Sequence, residues 1–227
     1  MTPVAEVITM TQTLIDALSA PDSSIRLRAA LAAGTEPEPA LVDALVHRSG
    51  VEPDFFVRDM LTWALTRTPH AATVPRVVAE LDSTSAQARS QALHTLSKIG
   101  DRSVYPHVMG LLHDPDDDVA RTAWRTAVAL VSDEDVSDLA AALAAELGRG
   151  NREVQRSLSR ALSALGEAAT GVLDAASTSG PEAVRLHADA TRHLMNDPDG
   201  DFADAVEQAR RALTLRGAPV RIDDADR

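Results

Sequence analysis

Residues 82–101, DSTSAQARSQALHTLSKIGD, carry the pattern on which the chain is built. A polar turn leads into apolar residues Ala88, Ala92, Leu96 and Ile99 at spacings of four, four and three, which trace one face of an α-helix before Gly100-Asp101 stops it. The stretch reads as the second helix of a helical hairpin that recurs along the sequence.

With Ala88 as anchor, the equivalent positions are Ile25, Val57, Val119, Val154 and Val184, at intervals of 32, 31, 31, 35 and 30 residues. Six hairpins follow from that period. Four residues after the anchors stand Ala29, Leu61, Ala92, Ala123, Leu158 and Ala188, on the same helical face. Eleven residues before them stand Leu14, Val46, Val77, Val108, Leu143 and Leu173, an apolar column that marks the first helix of every hairpin. Three residues before the anchors stand Asp22, Asp54, Ser85, Asp116 and Asn151, side chains suited to cap a helix N-terminus. The sixth unit has Gly180-Pro181 there instead, with Pro expected in the first turn.

Arg26, Arg58, Arg89 and Arg185 follow their anchors directly; an Arg four residues after a capping Asp can pair with it within a repeat, and stacked repeats would let the pairs run along the array. Pro75 and Pro106 stand thirteen residues before their anchors, where the first helix is expected to begin. After residues 196–201, NDPDGD, one more amphipathic helix is predicted from Phe202 to Leu215.

This constellation resembles the HEAT repeat, with its early Pro, turn Asp, Val-Arg and small apolar residues. The likeness is closest between 53 and 131, as in DPDDDVARTA from Asp114 to Ala123. The fold it implies is all-α: a right-handed α-solenoid of about six hairpins with a C-terminal capping helix. We expect a single array over 1–216 and a disordered tail over 217–227.

Composition limits the function classes. Aromatics make up 3% of the chain and period-two runs of β-branched residues are missing, so strands have little to be built from. There is no Cys, hence no disulfide and no thiolate metal site. The opening MTPVAEVITMTQTL lacks the basic start and apolar core of a signal peptide, and the longest apolar run, at 139–145, is too short to span a bilayer. A cytoplasmic protein is expected, without membrane partners. Lys98 is the only Lys among 22 basic residues, a bias that with the Ala richness fits a GC-rich bacterial genome. A formal net charge of −12 opposes nucleic-acid binding, though a local basic patch can override it.

HEAT arrays line their concave surface with the second helices, whose exposed positions lie about two, five, six and nine residues past each anchor. Those columns supply Asp59, Trp63, Ser90, His94, Arg121, Trp124, Arg125, Arg156 and Arg160. The expected partner surface comprises Trp63, His94, Arg121, Trp124, Arg125, Arg156 and Arg160, because guanidinium forks suit carboxylate and phosphate groups and aromatics anchor interfaces. The partner expected is a protein, or an acidic or phosphorylated peptide, held by a non-enzymatic adaptor. The bland reading is a solvated face, with Arg paired to loop acids such as Asp117 and Asp118, or Trp packed between helices.

Asp59 with Trp and Arg also resembles the HEAT-like alkylpurine DNA glycosylases, which would imply nucleic-acid binding and a catalytic Asp59. In those enzymes Trp precedes Asp by four residues, whereas here Asp59 precedes Trp63. Deoxyhypusine hydroxylases, another HEAT group, use His-Glu dipeptides, and none occurs here; phycobilin lyases share nothing specific beyond the repeats. His107 with His113, and His187 with His193, are six apart and unsuited to a helical metal pair, so surface histidines, no metal and no cofactor are expected. No phosphate loop or nucleophile motif is present.

Overall fold

The computed structural model describes residues 3–197 and 200–216, so the tail expected to be disordered lies outside the described residues. Among these residues there are helices and no strands. The α-helices are α1 Pro3–Leu18, α2 Ser23–Thr35, α3 Val42–Val51, α4 Phe55–Arg67, α5 His70–Ala79, α6 Ala86–Ile99, α7 Tyr105–Met109, α8 Asp117–Leu130, α9 Val136–Ala144, α10 Arg152–Ala164, α11 Glu167–Thr178, α12 Glu182–Asn196 and α13 Phe202–Arg216. They pair as six successive hairpins followed by α13, an arrangement of the α-solenoid kind. No helix of the described residues is long and apolar enough to cross a membrane.

Contacts gather into two units, residues 1–132 and 133–227. In the first, α2 packs on α4, α4 on α6 and α6 on α8, so that second helices meet second helices from repeat to repeat. In the second, α10 packs on α12, while α12 is also covered by α11 and α13.

The periodic columns explain this packing. Ala29, Leu61, Ala92, Ala123, Leu158 and Ala188 are all buried, as are Val46, Val77, Val108, Leu143 and Leu173, with Leu14 half-buried. Small Ala at most of the first set lets neighbouring helices approach closely. Two anchors depart from the column. Val184 is half-buried, and Ile25 is exposed because α2 instead buries Arg26, drawn inward by Glu52.

All five expected caps form. Asp22 accepts from the Ser24 amide, Asp54 from Phe56 and Val57, Ser85 from Ala88, Asp116 from Asp118 and Val119, and Asn151 from Glu153 and Val154. Gly100 ends α6 with φ 76°, the left-handed conformation that Gly adopts without Cβ strain. Pro181 is itself the N-cap residue of α12, one place outside the helix. Pro106 stands in the first turn of α7, but Pro75 lies inside α5, which starts earlier, after Pro69.

The Arg ladder is a correction. Neither Arg26 nor Arg58 pairs with its capping acid, Asp22 or Asp54, and the caps before Arg89 and Arg185 are Ser85 and Pro181. Arg26 Nη1 donates to the carbonyls of Ala20 and Pro21, Arg58 Nη1 to those of Glu52 and Pro53, Arg89 Nη1 to that of Ser83, and Arg185 Nη1 to that of Gly180. The guanidinium folds back over the turn that enters its own helix, where the carbonyls have no helical partner. The rest of the fork then reaches the next repeat: Arg26 binds Glu52, and Arg89 binds Asp114 at 2.8 and 3.0 Å.

Candidate functional site

Helices α4, α6 and α8 frame a polar depression of about 600 Å³ in the first unit. Its lining includes Phe55, Arg58 and Asp59 from α4, His94 and Lys98 from α6, and Asp118, Arg121 and Arg125 from α8. Four cations thus face two carboxylates, inside a chain whose net charge is −12. The depression's local sign is opposite to that of the protein.

Side-chain bonds between adjacent helices hold its floor. Gln91 donates to Thr62 at 2.8 Å, joining α6 to α4, and the hydroxyls of Ser90 and Thr122 meet at 3.0 Å between α6 and α8. Thr126 donates to the Leu93 carbonyl at 3.1 Å, while Gln87 donates to the Glu52 carbonyl at the end of α3. These contacts fix the register of the helices and with it the spacing of Asp59, His94, Arg121 and Arg125.

The charged groups differ in how they are satisfied. Arg121 sits 3.3 Å from Asp118, an exposed pair three residues apart on one helix, of the kind that contributes little. Arg125 donates to Thr122 at 3.1 Å and has no carboxylate partner among the described residues. Desolvation, and then the neighbouring Arg121, lower its pKa; a guanidinium nevertheless remains charged. Desolvation also lowers the His94 pKa, with Lys98 and Arg125 acting in the same direction and Asp59 opposing them. The neutral form of His94 is therefore favoured, with Lys98 and Arg125 as its cationic neighbours.

The structure brings together Asp59, His94, Arg121 and Arg125, but neither Trp joins them. Trp124 is wholly inaccessible, and its indole N–H donates to the Leu112 carbonyl at 2.9 Å. It is a core residue, which corrects its expected place on the partner surface: the position five past the anchor turns inward on α8, where the small residues Ala120, Ala123 and Ala127 are buried with it. Trp63 remains 36% exposed, but its ring lies over Gly34 of α2 and outside the depression. The Trp, Asp and Arg constellation of the glycosylase resemblance is therefore not assembled around Asp59. Arg156 and Arg160 belong to the second unit, where they line a cavity of their own.

Two aromatics escaped the sequence reading. Phe55 and Phe56, at the start of α4, are 67% and 72% exposed and meet edge to face at 5.8 Å. Phe55 lies at the margin of the depression with the Arg58 guanidinium 5.9 Å from its ring centre. The signal was there: Phe55 precedes the buried Val57 by two residues, which rotates it about 200° from the core face.

In the second unit His187 is buried, correcting the expectation of a surface histidine. Its Nδ1 accepts from the Gly148 amide at 3.0 Å, so Nε2 carries the proton and donates to the Gln155 carbonyl, also at 3.0 Å. Ser159 Oγ lies 3.0 Å from the same Nε2 and 2.8 Å from Thr191 Oγ1. A serine beside a histidine suggests a nucleophile and base, but this tautomer cannot take the hydroxyl proton, and Ser159 is fully buried. The cluster joins α10 to α12. Among the described residues no three His, Asp or Glu side chains are grouped to hold a metal ion.

Residues 52–129 match the family model described as HEAT repeats. That stretch runs from the turn before α4 to the last turn of α8 and supplies every residue named around the depression. Residues 52–129 thus carry the HEAT-repeat match, within a fold that is all-α among the described residues. Solved structures to which it is similar include the complex of CpcE and CpcF of phycocyanin lyase from Nostoc, at 18% identity over 92% of this chain and 88% of that chain, with a TM-score of 0.48. Human deoxyhypusine hydroxylase in complex with glycerol is similar at 17% identity over 94% and 100%, with a TM-score of 0.47. An engineered protein is similar at 21% identity over 88% and 97%, with a TM-score of 0.45. Among curated proteins none matches the sequence.

Proposed function

We propose that the protein is a non-enzymatic HEAT-repeat adaptor, acting in the cytoplasm, that holds an acidic segment of a protein partner in the depression between α4, α6 and α8. The observation that carries this reading is Arg125, a cation without a carboxylate partner among the described residues, in a basic hollow of an acidic protein. Arg121, Arg58 and Lys98 add charge of the same sign, and a planar fork suits carboxylate or phosphoryl oxygens. Phe55, and Phe56 beside it, supply the apolar anchor that an extended peptide with an aromatic or aliphatic side chain would use. The helices that carry these groups are already packed, so little ordering accompanies binding.

The test is a peptide array of acidic sequences interrupted by single Phe, Leu or Trp residues, each printed beside its Asn/Gln counterpart. The adaptor reading expects retention of the acidic members and loss of signal in the amide versions. Equal retention of both sets would contradict it.

A further inference from the structure

In the second unit a cavity of about 340 Å³ opens between α10, the end of α12 and the start of α13. That is the size of an ordinary small-molecule pocket. Arg156 and Arg160, four residues apart and so on one face of α10, stand at its wall, and neither forms an ion pair among the described residues. Leu194, Met195 and Phe202 supply an apolar side. Ser163, one turn beyond Arg160, also lines it.

From these neighbours we infer that the cavity is a binding site for a small organic carboxylate with a short apolar chain. The carboxylate engages Arg156 and Arg160 through charge-assisted hydrogen bonds, and the body lies against Leu194, Met195 and Phe202. Asp201 also lines the cavity, but its Oδ1 accepts from the Ala203 amide at 2.6 Å and so caps the start of α13. The apolar side distinguishes this cavity from the polar depression of the first unit, and the inference stands independently of the adaptor reading.

Octanoate serves as the probe, followed by the ¹³C-methyl resonance of Met195, with acetate as the head alone and 1-octanol as the body alone. Octanoate is expected to shift that resonance saturably. Acetate, octanol and the Arg156→Ala, Arg160→Ala double variant are each expected to bind at least tenfold more weakly. Both arginines are exposed, so far-UV circular dichroism of the variant should match the parent. If it does not, Arg160→Gln is read in its place, with weakening again expected. An unsaturable shift, octanol or acetate binding as tightly as octanoate, or undiminished binding by the variant overturns the inference.

Discussion

Arg26 holds both carboxylate oxygens of Glu52, each at 2.7 Å, across the boundary between the first and second hairpins. Both side chains are buried, and the pair is saturated from outside: Arg48 donates to Glu52 at 2.7 Å and the Asp54 amide at 2.9 Å. Arg89 and Asp114 repeat the device one hairpin pair later, where Asp114 likewise accepts from the Asp116 amide. One acid thus ties an Arg of the preceding repeat to the cap of its own helix. Breaking such a pair from one side leaves a buried charge behind, at a cost on the order of 3 kcal/mol. Arg26→Met should lose about that much stability in urea unfolding at pH 7, whereas Arg28→Met, on an exposed position of the same helix, should change it by less than about 0.5 kcal/mol.

Acid should dissolve this link in a defined window. Burial works to raise the Glu52 pKa, but Arg26, the Asp54 amide and Arg48 outweigh it and bring it down to about 2. The stabilisation is therefore complete above the ordinary carboxylate value of 4.5 and is lost as pH falls toward 2. Urea titrations between pH 4 and pH 3 should show a fall that Glu52→Gln reduces, the variant starting lower.

His187 acts in a separate range. Burial pushes its pKa from 6.5 down to about 4, with the Gln155 carbonyl opposing. The unfolded chain therefore takes up the proton first, and stability should decline from pH 6.5 down to about 4, by about 3 kcal/mol in all. Because Glu52 is largely ionised above pH 5 in either state, unfolding between pH 6.5 and 5 reports the histidines of lowered pKa, His187 and His94. His187→Gln should flatten that part of the profile.

Gly34 and Trp63 test the close approach of α2 to α4. A Cβ on Gly34 would run into the indole ring, so Gly34→Ala should destabilise by about 2 kcal/mol even though Ala is the better helix former. Trp124→Phe should cost a similar amount, since the Leu112 carbonyl loses its donor in a buried place. Thermal melts of both variants, with Trp fluorescence as the readout, separate the two sites.

Much of the fold was legible because repetition turns a weak local signal into a column. One helix with Val at the anchor says little, but six apolar positions at a near-constant interval define a buried face, and the caps Asp22, Asp54, Ser85, Asp116 and Asn151 mark where each helix begins. The site was less legible, since facing solvent on one helix depends on what the neighbouring helix offers. Trp124 and Arg125 are adjacent in sequence, yet one is sealed in the core and the other is exposed. The Arg ladder misled for a related reason: Asp22 and Asp54 are engaged as caps, Arg58 and Arg185 donate to turn carbonyls, and Arg26 and Arg89 reach the acids Glu52 and Asp114 of the next repeat. His187 gave no sign of burial, because its partners, Gly148, Gln155 and Ser159, come from a different hairpin.

His94 gives the adaptor reading a pH signature. Its pKa is lowered by burial and then by Lys98 and Arg125, with Asp59 opposing, and an acidic peptide in the depression would raise it again. Binding then takes up a proton, so affinity should increase as pH falls from 8 to 6. His94→Gln should remove the increase while leaving binding at pH 8 nearly unchanged.

The most direct measurement is fluorescence anisotropy of a labelled Asp/Glu-rich peptide containing one Phe, titrated with the parent protein and with an Arg121→Ala, Arg125→Ala double variant at two salt concentrations. The adaptor account predicts saturable binding by the parent that weakens with salt, and a loss of at least tenfold in the variant, since exposed guanidinium groups supply the attraction. Equal binding by parent and variant, or no binding by the parent at low salt, would contradict the assignment of the depression between α4, α6 and α8 as the partner site.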